Sequence, residues 1–253
     1  MQPRPTTLAE HAEALAQHWE LHLPEGAGPF PVIIQLHGCG GKKPFMTTYA
    51  KLARDAGAAV IVIDSHAPRR IAQMTAYTRV CTGTQLPGRE RAADLFAAMT
   101  WARRQSWADP NRIAASGWSH GGWTIADALS FRDRAEMARA TGLEDIKGEP
   151  LDRLSAVFLV YPYLGPLSLR ERPWRIAPRV NAILCGRDVI AGGKWPREAL
   201  ARVRAQGADV DIVMFDKATH AFDEPEAKFA AFAYDAALVA RGHRLYEDFA
   251  RSL

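Results

Sequence analysis

Gly117-Trp118-Ser119-His120-Gly121-Gly122 follows an apolar run, Ile113-Ala114-Ala115-Ser116, and precedes a helical run over residues 123–130. Strand, tight turn and helix together are the setting of a nucleophile elbow, in which a serine sits on a sharp turn with its hydroxyl above the sheet. Such a turn brings neighbouring backbone very close, and the glycines at 117, 121 and 122 remove the side chains that would collide. A bare G-x-S-x-G turns up by chance in roughly one chain in ten of this size. The weight therefore rests on the context: the motif starts where a strand should end.

Working outward, short β-branched runs alternate with helical spacing along the whole chain. PVIIQL (31–36), AAVIVID (58–64), the run before the elbow (112–116), SAVFLV (155–160), VNAILC (180–185) and VDIVMF (210–215) read as buried strands. Residues 18–23 alternate with period two and read as an edge strand. Helical stretches fall at 45–56, 89–105, 119–130 and 196–206, and a last one is N-capped by Asp235. This order predicts an α/β fold with a mostly parallel central sheet and helices on both faces, in a single domain spanning 1–253. Residues 65–88 lose periodicity and read as a lid. Residues 131–150 read as a charged insertion of helix and loop.

Composition sets limits on function. Hydrophobic residues make up 48% and charged residues 24% of the 253, values of a globular enzyme, with a net charge of +4. Lys and Arg occur as scattered pairs such as Arg69-Arg70, so no nucleic-acid partner is expected. No apolar run approaches the roughly 18 residues of a membrane span, and residues 1–20 hold no apolar signal core. Cytoplasmic residence is the default expectation, with a periplasmic or secreted location as the alternative if a signal peptide was removed. Cys39, Cys81 and Cys185 lack C-x-x-C spacing, so neither a metal nor a cofactor is expected.

A serine hydroxyl is a weak nucleophile that needs a base, and the base needs an acidic orienter. Ser119 is followed in chain order by Asp188, just past the strand VNAILC, and by His220, past the last strand. All three then lie at the carboxyl edge of a parallel sheet, where open α/β sheets bind ligands. Asp223 competes as the acid but lies further from its strand end. Two backbone N–H groups must also face the developing oxyanion. His120, next to the nucleophile, supplies one. The loop His37-Gly38-Cys39-Gly40-Gly41 supplies the other, assigned to Cys39 with Gly38 and Gly40 as alternatives. This loop is not a dinucleotide fingerprint, because Lys43 stands where a third glycine would fall.

The segments LHGCGG, DSHAPR, DPNRIAASGWSHGG, PWRIAPRVNAILCGRD and THAF resemble the dienelactone hydrolase-like branch of the α/β-hydrolases. The resemblance implies carboxylic-ester or lactone hydrolysis by Ser119, Asp188 and His220 without a metal. The namesake enzymes use a cysteine nucleophile, and here it is Ser119. A peptidase or amidase on the same triad is the close rival, and a non-catalytic ligand receptor is the alternative from another class. Tyr161 and Trp195 are candidate pocket walls, and Arg69 is a candidate partner for a substrate carboxylate. The arginines of 65–88 suit a small, soluble ester with a short, polar or anionic acyl group, acetyl to butyryl. A Cys39–Cys81 disulfide tying the lid to the oxyanion loop stays open at this point, as does the oligomeric state.

Overall fold

A computed structural model describes residues 5–225 and 231–253. The first helix, α1 (Leu8–Ala16), opens with a capping box in which Thr7 and Glu10 satisfy each other's backbone N–H groups. Then come β1 (Glu20–His22), β2 (Phe30–Leu36), α2 (Pro44–Asp55) and β3 (Ala59–Ile63). Residues 65–88, the candidate lid, carry a 3-10 turn at Ala67–Arg69, a one-turn helix α3 (Gln73–Thr75) and a π turn at Ala76–Val80. Helix α4 (Gly88–Ala102) leads into β4 (Ala108–Trp118) and α5 (His120–Leu129). The chain continues through α6 (Arg134–Thr141), β5 (Leu154–Val160), β6 (Arg179–Cys185), α7 (Lys194–Ala205), β7 (Val210–Phe215) and α8 (Ala236–Arg251).

The strands form one seven-stranded sheet in the order β1-β3-β2-β4-β5-β6-β7. Only β1 runs antiparallel, against β3; the other neighbours pair in parallel. Alternating side chains explain why these runs are apolar throughout. Val32, Ile34 and Leu36 enter one core with α1, α4 and α5, while Ile33 enters the other with α2 and α8. Helices therefore cover both faces, as the alternation of elements implied. Strand β4 is longer than expected and takes in Asp109-Pro110-Asn111, its register against β2 shifting between Phe30 and Val32.

The 131–150 segment contributes α6, whose Met137 is buried in the first core. It also anchors the start of the chain: Thr6 bridges to Leu143, and the Leu8 N–H donates to Asp145 Oδ1 at 2.7 Å. No helix among the described residues is long and apolar enough to cross a membrane.

Candidate active site

The loops that follow β2, β4, β5, β6 and β7 converge at the carboxyl edge of the sheet. Ser119 follows β4 with φ 49° and ψ −107°, a positive-φ conformation unusual for a residue with a side chain. Packing and hydrogen bonds hold it there. The Ser119 N–H donates to Val160 O at 2.9 Å, and Ser119 O accepts from Tyr163 N–H at 3.0 Å and Trp123 N–H at 3.1 Å. The flanking glycines are sterically required. A Cβ on Gly121 would fall 2.3 Å from Leu36 O, and one on Gly117 would fall 2.5 Å from the Gly121 carbonyl carbon.

Ser119 Oγ lies 2.8 Å from His220 Nε2, and His220 Nδ1 lies 2.7 Å from Asp188 Oδ2. All three residues are buried. The second Asp188 oxygen, Oδ1, accepts the N–H groups of Ile190 and Ala191, each at 2.8 Å. Both carboxylate oxygens are thus committed. The acceptor at Oδ2 keeps the proton on His220 Nδ1 and leaves Nε2 free to accept from the serine hydroxyl.

Asp223, the competing acid, serves another purpose. Its Oδ2 accepts from Trp118 Nε1 at 2.9 Å and Tyr49 Oη at 3.1 Å, and its Oδ1 accepts from Tyr161 Oη at 2.6 Å. Burial raises its pKa, against the opposing effect of these three donors. It forms no hydrogen bond to His220; instead it ties down the layer beneath it. Tyr161, with φ 36°, places its ring 4.7 Å from the His220 ring.

Two backbone segments lie beside Ser119. His120 opens α5, where the helix leaves its first N–H groups without acceptors. Opposite lies the loop after β2, pinned by His37 Nδ1–H donating to Gly38 O at 2.6 Å and by Gly41 N–H donating to the same oxygen at 3.2 Å. Cys39 is joined to Cys81 by a disulfide across a sequence separation of 42, so the lid is covalently attached to this loop.

A cavity of about 790 Å³ opens above Ser119 and His220. Phe45, Tyr77, Trp118, Tyr161, Ile190 and Phe232 line it, along with the oxyanion loop and an ion pair of Lys43 with Glu224 at 3.8 Å. Two candidate substrate contacts lie elsewhere. Arg69 does not line this cavity; its guanidinium grips the buried Asp94 at 2.7 and 3.0 Å and Ser65 O at 2.8 Å. Trp195 is in the first turn of α7 and stacks under Arg170, 5.2 Å from its ring centre, rather than walling the pocket. Tyr161 does line it. Sequence reading missed Lys43, Phe45, Tyr77, Ile190 and Phe232, since nothing in their local spacing distinguishes a pocket wall from core or surface.

Among the described residues, no group of three or more His, Cys, Asp or Glu side chains could hold a metal ion. The Prolyl oligopeptidase family profile matches residues 45–136, less than half of the chain. No curated protein sequence matches. Solved structures do. A dienelactone hydrolase of Klebsiella pneumoniae, so described provisionally, is 18% identical with a TM-score of 0.66, over 91% of each chain. A dienelactone hydrolase-like promiscuous phosphotriesterase from metagenomic libraries is 21% identical with a TM-score of 0.68, over 93% of this chain and 92% of that one. The chain has the α/β-hydrolase fold. A thermophilic esterase of Thermogutta terrifontis with bound propionate shares this α/β-hydrolase architecture at 16% identity, with a TM-score of 0.65 over 91% of this chain and 87% of that one.

Proposed function

We propose that this protein is a serine hydrolase of the dienelactone hydrolase-like branch, cleaving small soluble carboxylic esters or lactones through an acyl-enzyme. The observation that carries the proposal is the continuous relay Asp188–His220–Ser119, with links of 2.7 and 2.8 Å, whose Ser119 and His220 line the cavity. His220 Nε2 takes the Ser119 proton as Oγ attacks the ester carbonyl carbon. The negative oxygen then faces the N–H groups of Cys39 and His120. Collapse expels the alcohol, which receives the proton from His220. Water repeats the sequence on the acyl-enzyme and frees the acid.

The names of the structural neighbours, a dienelactone hydrolase, a phosphotriesterase and an esterase, support this class. Propionate and butyrate bound in the Thermogutta esterase support a short acyl group. Arg69, the candidate partner for an anionic acyl group, is committed to Asp94. The ring-lined cavity favours an apolar group beside the scissile bond instead. The match of residues 45–136 to the Prolyl oligopeptidase family favours a second reading, amide or peptide cleavage on the same residues. The Cys39–Cys81 disulfide supports an oxidising compartment over the cytoplasm.

The test combines labelling with a substrate panel. A fluorophosphonate should add one adduct, at Ser119, and Ser119→Ala should lose turnover by several orders of magnitude while staying folded. Among p-nitrophenyl esters, kcat/KM should peak between acetyl and butyryl and exceed that of the matching p-nitroanilides. An adduct elsewhere removes the nucleophile. Faster anilide cleavage installs the amidase reading, and a peak at octanoyl or longer removes the short-acyl assignment.

A further inference from the structure

Behind the oxyanion loop lies a guanidinium with no exposure to solvent. Arg91 is on α4 and is 0% exposed. A buried cation is tolerated only where its partners compensate the loss of water. Arg91 Nε donates to Ser65 Oγ at 2.8 Å, and its Nη1 donates to His37 O at 2.7 Å and to His120 Nδ1 at 3.1 Å. Its charge is offset by Asp94, three residues along the same helix and itself gripped by Arg69 and by His11 Nε2 at 2.7 Å. Burial lowers Arg91 to about 10, which leaves it a cation at neutral pH.

What these partners belong to decides the role. His37 follows β2, and its carbonyl shares a peptide unit with the Gly38 N–H, immediately before Cys39. His120 follows the nucleophile. One guanidinium therefore grips both segments that supply oxyanion donors, from behind. We propose that Arg91 is a positioning residue that fixes the Cys39 and His120 N–H groups relative to one another, and so acts on the transition state rather than on substrate binding. The proposal rests on the ester-hydrolase reading above.

The ring states agree with this geometry. Because Arg91 donates to His120 Nδ1, that nitrogen is an acceptor and the ring is neutral. His37 donates from Nδ1 to Gly38 O and accepts at Nε2 from Ser65 N–H at 3.1 Å, so it too is a single neutral tautomer. Burial, and then the Arg91 charge, hold both histidines well below the usual range. The planar fork serves three acceptors at once, which a lysine ammonium on a flexible stem cannot reproduce.

The experiment compares the parent chain with Arg91→Lys and Ser65→Ala. It measures kcat and KM for p-nitrophenyl butyrate, normalised to sites titrated by fluorophosphonate. It also measures the affinity of a trifluoromethyl ketone, whose bound form carries an oxyanion. Arg91→Lys should lose about 10²-fold in kcat, the scale of one oxyanion donor. Its KM should stay within about threefold, and ketone affinity should fall by a factor similar to that of kcat. The midpoint of the pH profile should not move, since His220 is untouched. Ser65→Ala, which removes one anchor of the fork, should show the same split at about tenfold, and it carries the test if Arg91→Lys does not fold. Unchanged kcat in the folded variants, a raised KM with kcat retained, or lost kcat with full ketone affinity would each overturn the proposal. A parent chain that neither labels at Ser119 nor cleaves any ester removes the hydrolase reading and this inference together.

Discussion

Replacing Asp188 with asparagine should stop the reaction by moving one proton, and the hydrogen bonds around the carboxylate say which way. Oδ1 accepts the N–H groups of Ile190 and Ala191, whereas Oδ2 faces His220 Nδ1. The asparagine carbonyl must stay on the first side. Turning the amide round would set its NH₂ against two backbone donors, at a cost of about 1–3 kcal/mol each. The NH₂ then faces His220 Nδ1 as a donor, so Nδ1 becomes an acceptor and the proton moves to Nε2. An imidazole protonated at Nε2 donates to Ser119 Oγ and cannot accept from it. The expected loss is on the order of 10⁴ in kcat, or about 5 kcal/mol of barrier. Asp223→Asn is the control. Its carbonyl can keep Tyr49 and Trp118, and its NH₂ can donate to the Tyr161 phenol oxygen, so kcat should stay within tenfold. The assay is p-nitrophenyl acetate turnover per titrated site, with circular dichroism to confirm folding. A mild Asp188→Asn beside a crippling Asp223→Asn would refute the reasoning.

Further outcomes follow from other features. Removing the disulfide as Cys39→Ala/Cys81→Ala should lower stability by about 3–4 kcal/mol if the reduced chain gains the full loop entropy of its separation of 42, shifting Tm down by about 10 °C. A calorimetric shift under about 2 °C would contradict this. Asp127, raised to about 7 by burial despite its bonds from Leu169 N–H and Trp123 Nε1, holds a proton in the folded chain that the unfolded chain releases near its ordinary value of 3.8. Its contribution is therefore fully present at low pH and lost as pH rises through about 7. Denaturant titrations of Asp127→Asn should show a flatter fall in stability between about pH 4 and 7 than the parent, and parallel curves would exclude the shift. Gly121→Ala puts a methyl 2.3 Å from Leu36 O, so the folded fraction should lose activity as α5 is pushed off the oxyanion loop, and near-parent turnover would show that the elbow yields.

The strands were legible because both faces of a parallel sheet are buried, which writes each strand as an unbroken apolar run such as Ala59–Ile63. The residues of the candidate relay were legible because their chemistry needs a fixed chain order at strand ends. What stayed hidden depends on contacts between distant positions. Arg69 looks like a free surface cation until Asp94 comes to meet it. Arg91 looks like the polar edge of an amphipathic helix, but α4 packs against α1, α5 and α6 and leaves it no route to water. Its one local trace is the acid three residues on, Asp94. Trp195, seven residues past Asp188 in the sequence, reads as a pocket wall, but the start of α7 turns it towards Arg170. The pairing of Cys39 with Cys81 depends on how the lid folds back, which three cysteines alone do not reveal.

That tether joins two parts of the cavity that hang from different elements. Ser119, Asp188 and His220 hang from β4, β6 and β7, while the lid reaches the cavity through Gln73, Tyr77 and Cys81 and is clipped to the oxyanion loop by one covalent bond. In a hydrolase of the proposed kind, the outer wall of the cavity would then be set by residues 65–88 and the bond-breaking groups by the strand ends. A library varied at Tyr77, with the cysteine clip and the Gln73 Nε2–H bond to Gly40 O at 3.1 Å kept, would change the cavity wall while leaving both ties to the loop after β2 in place.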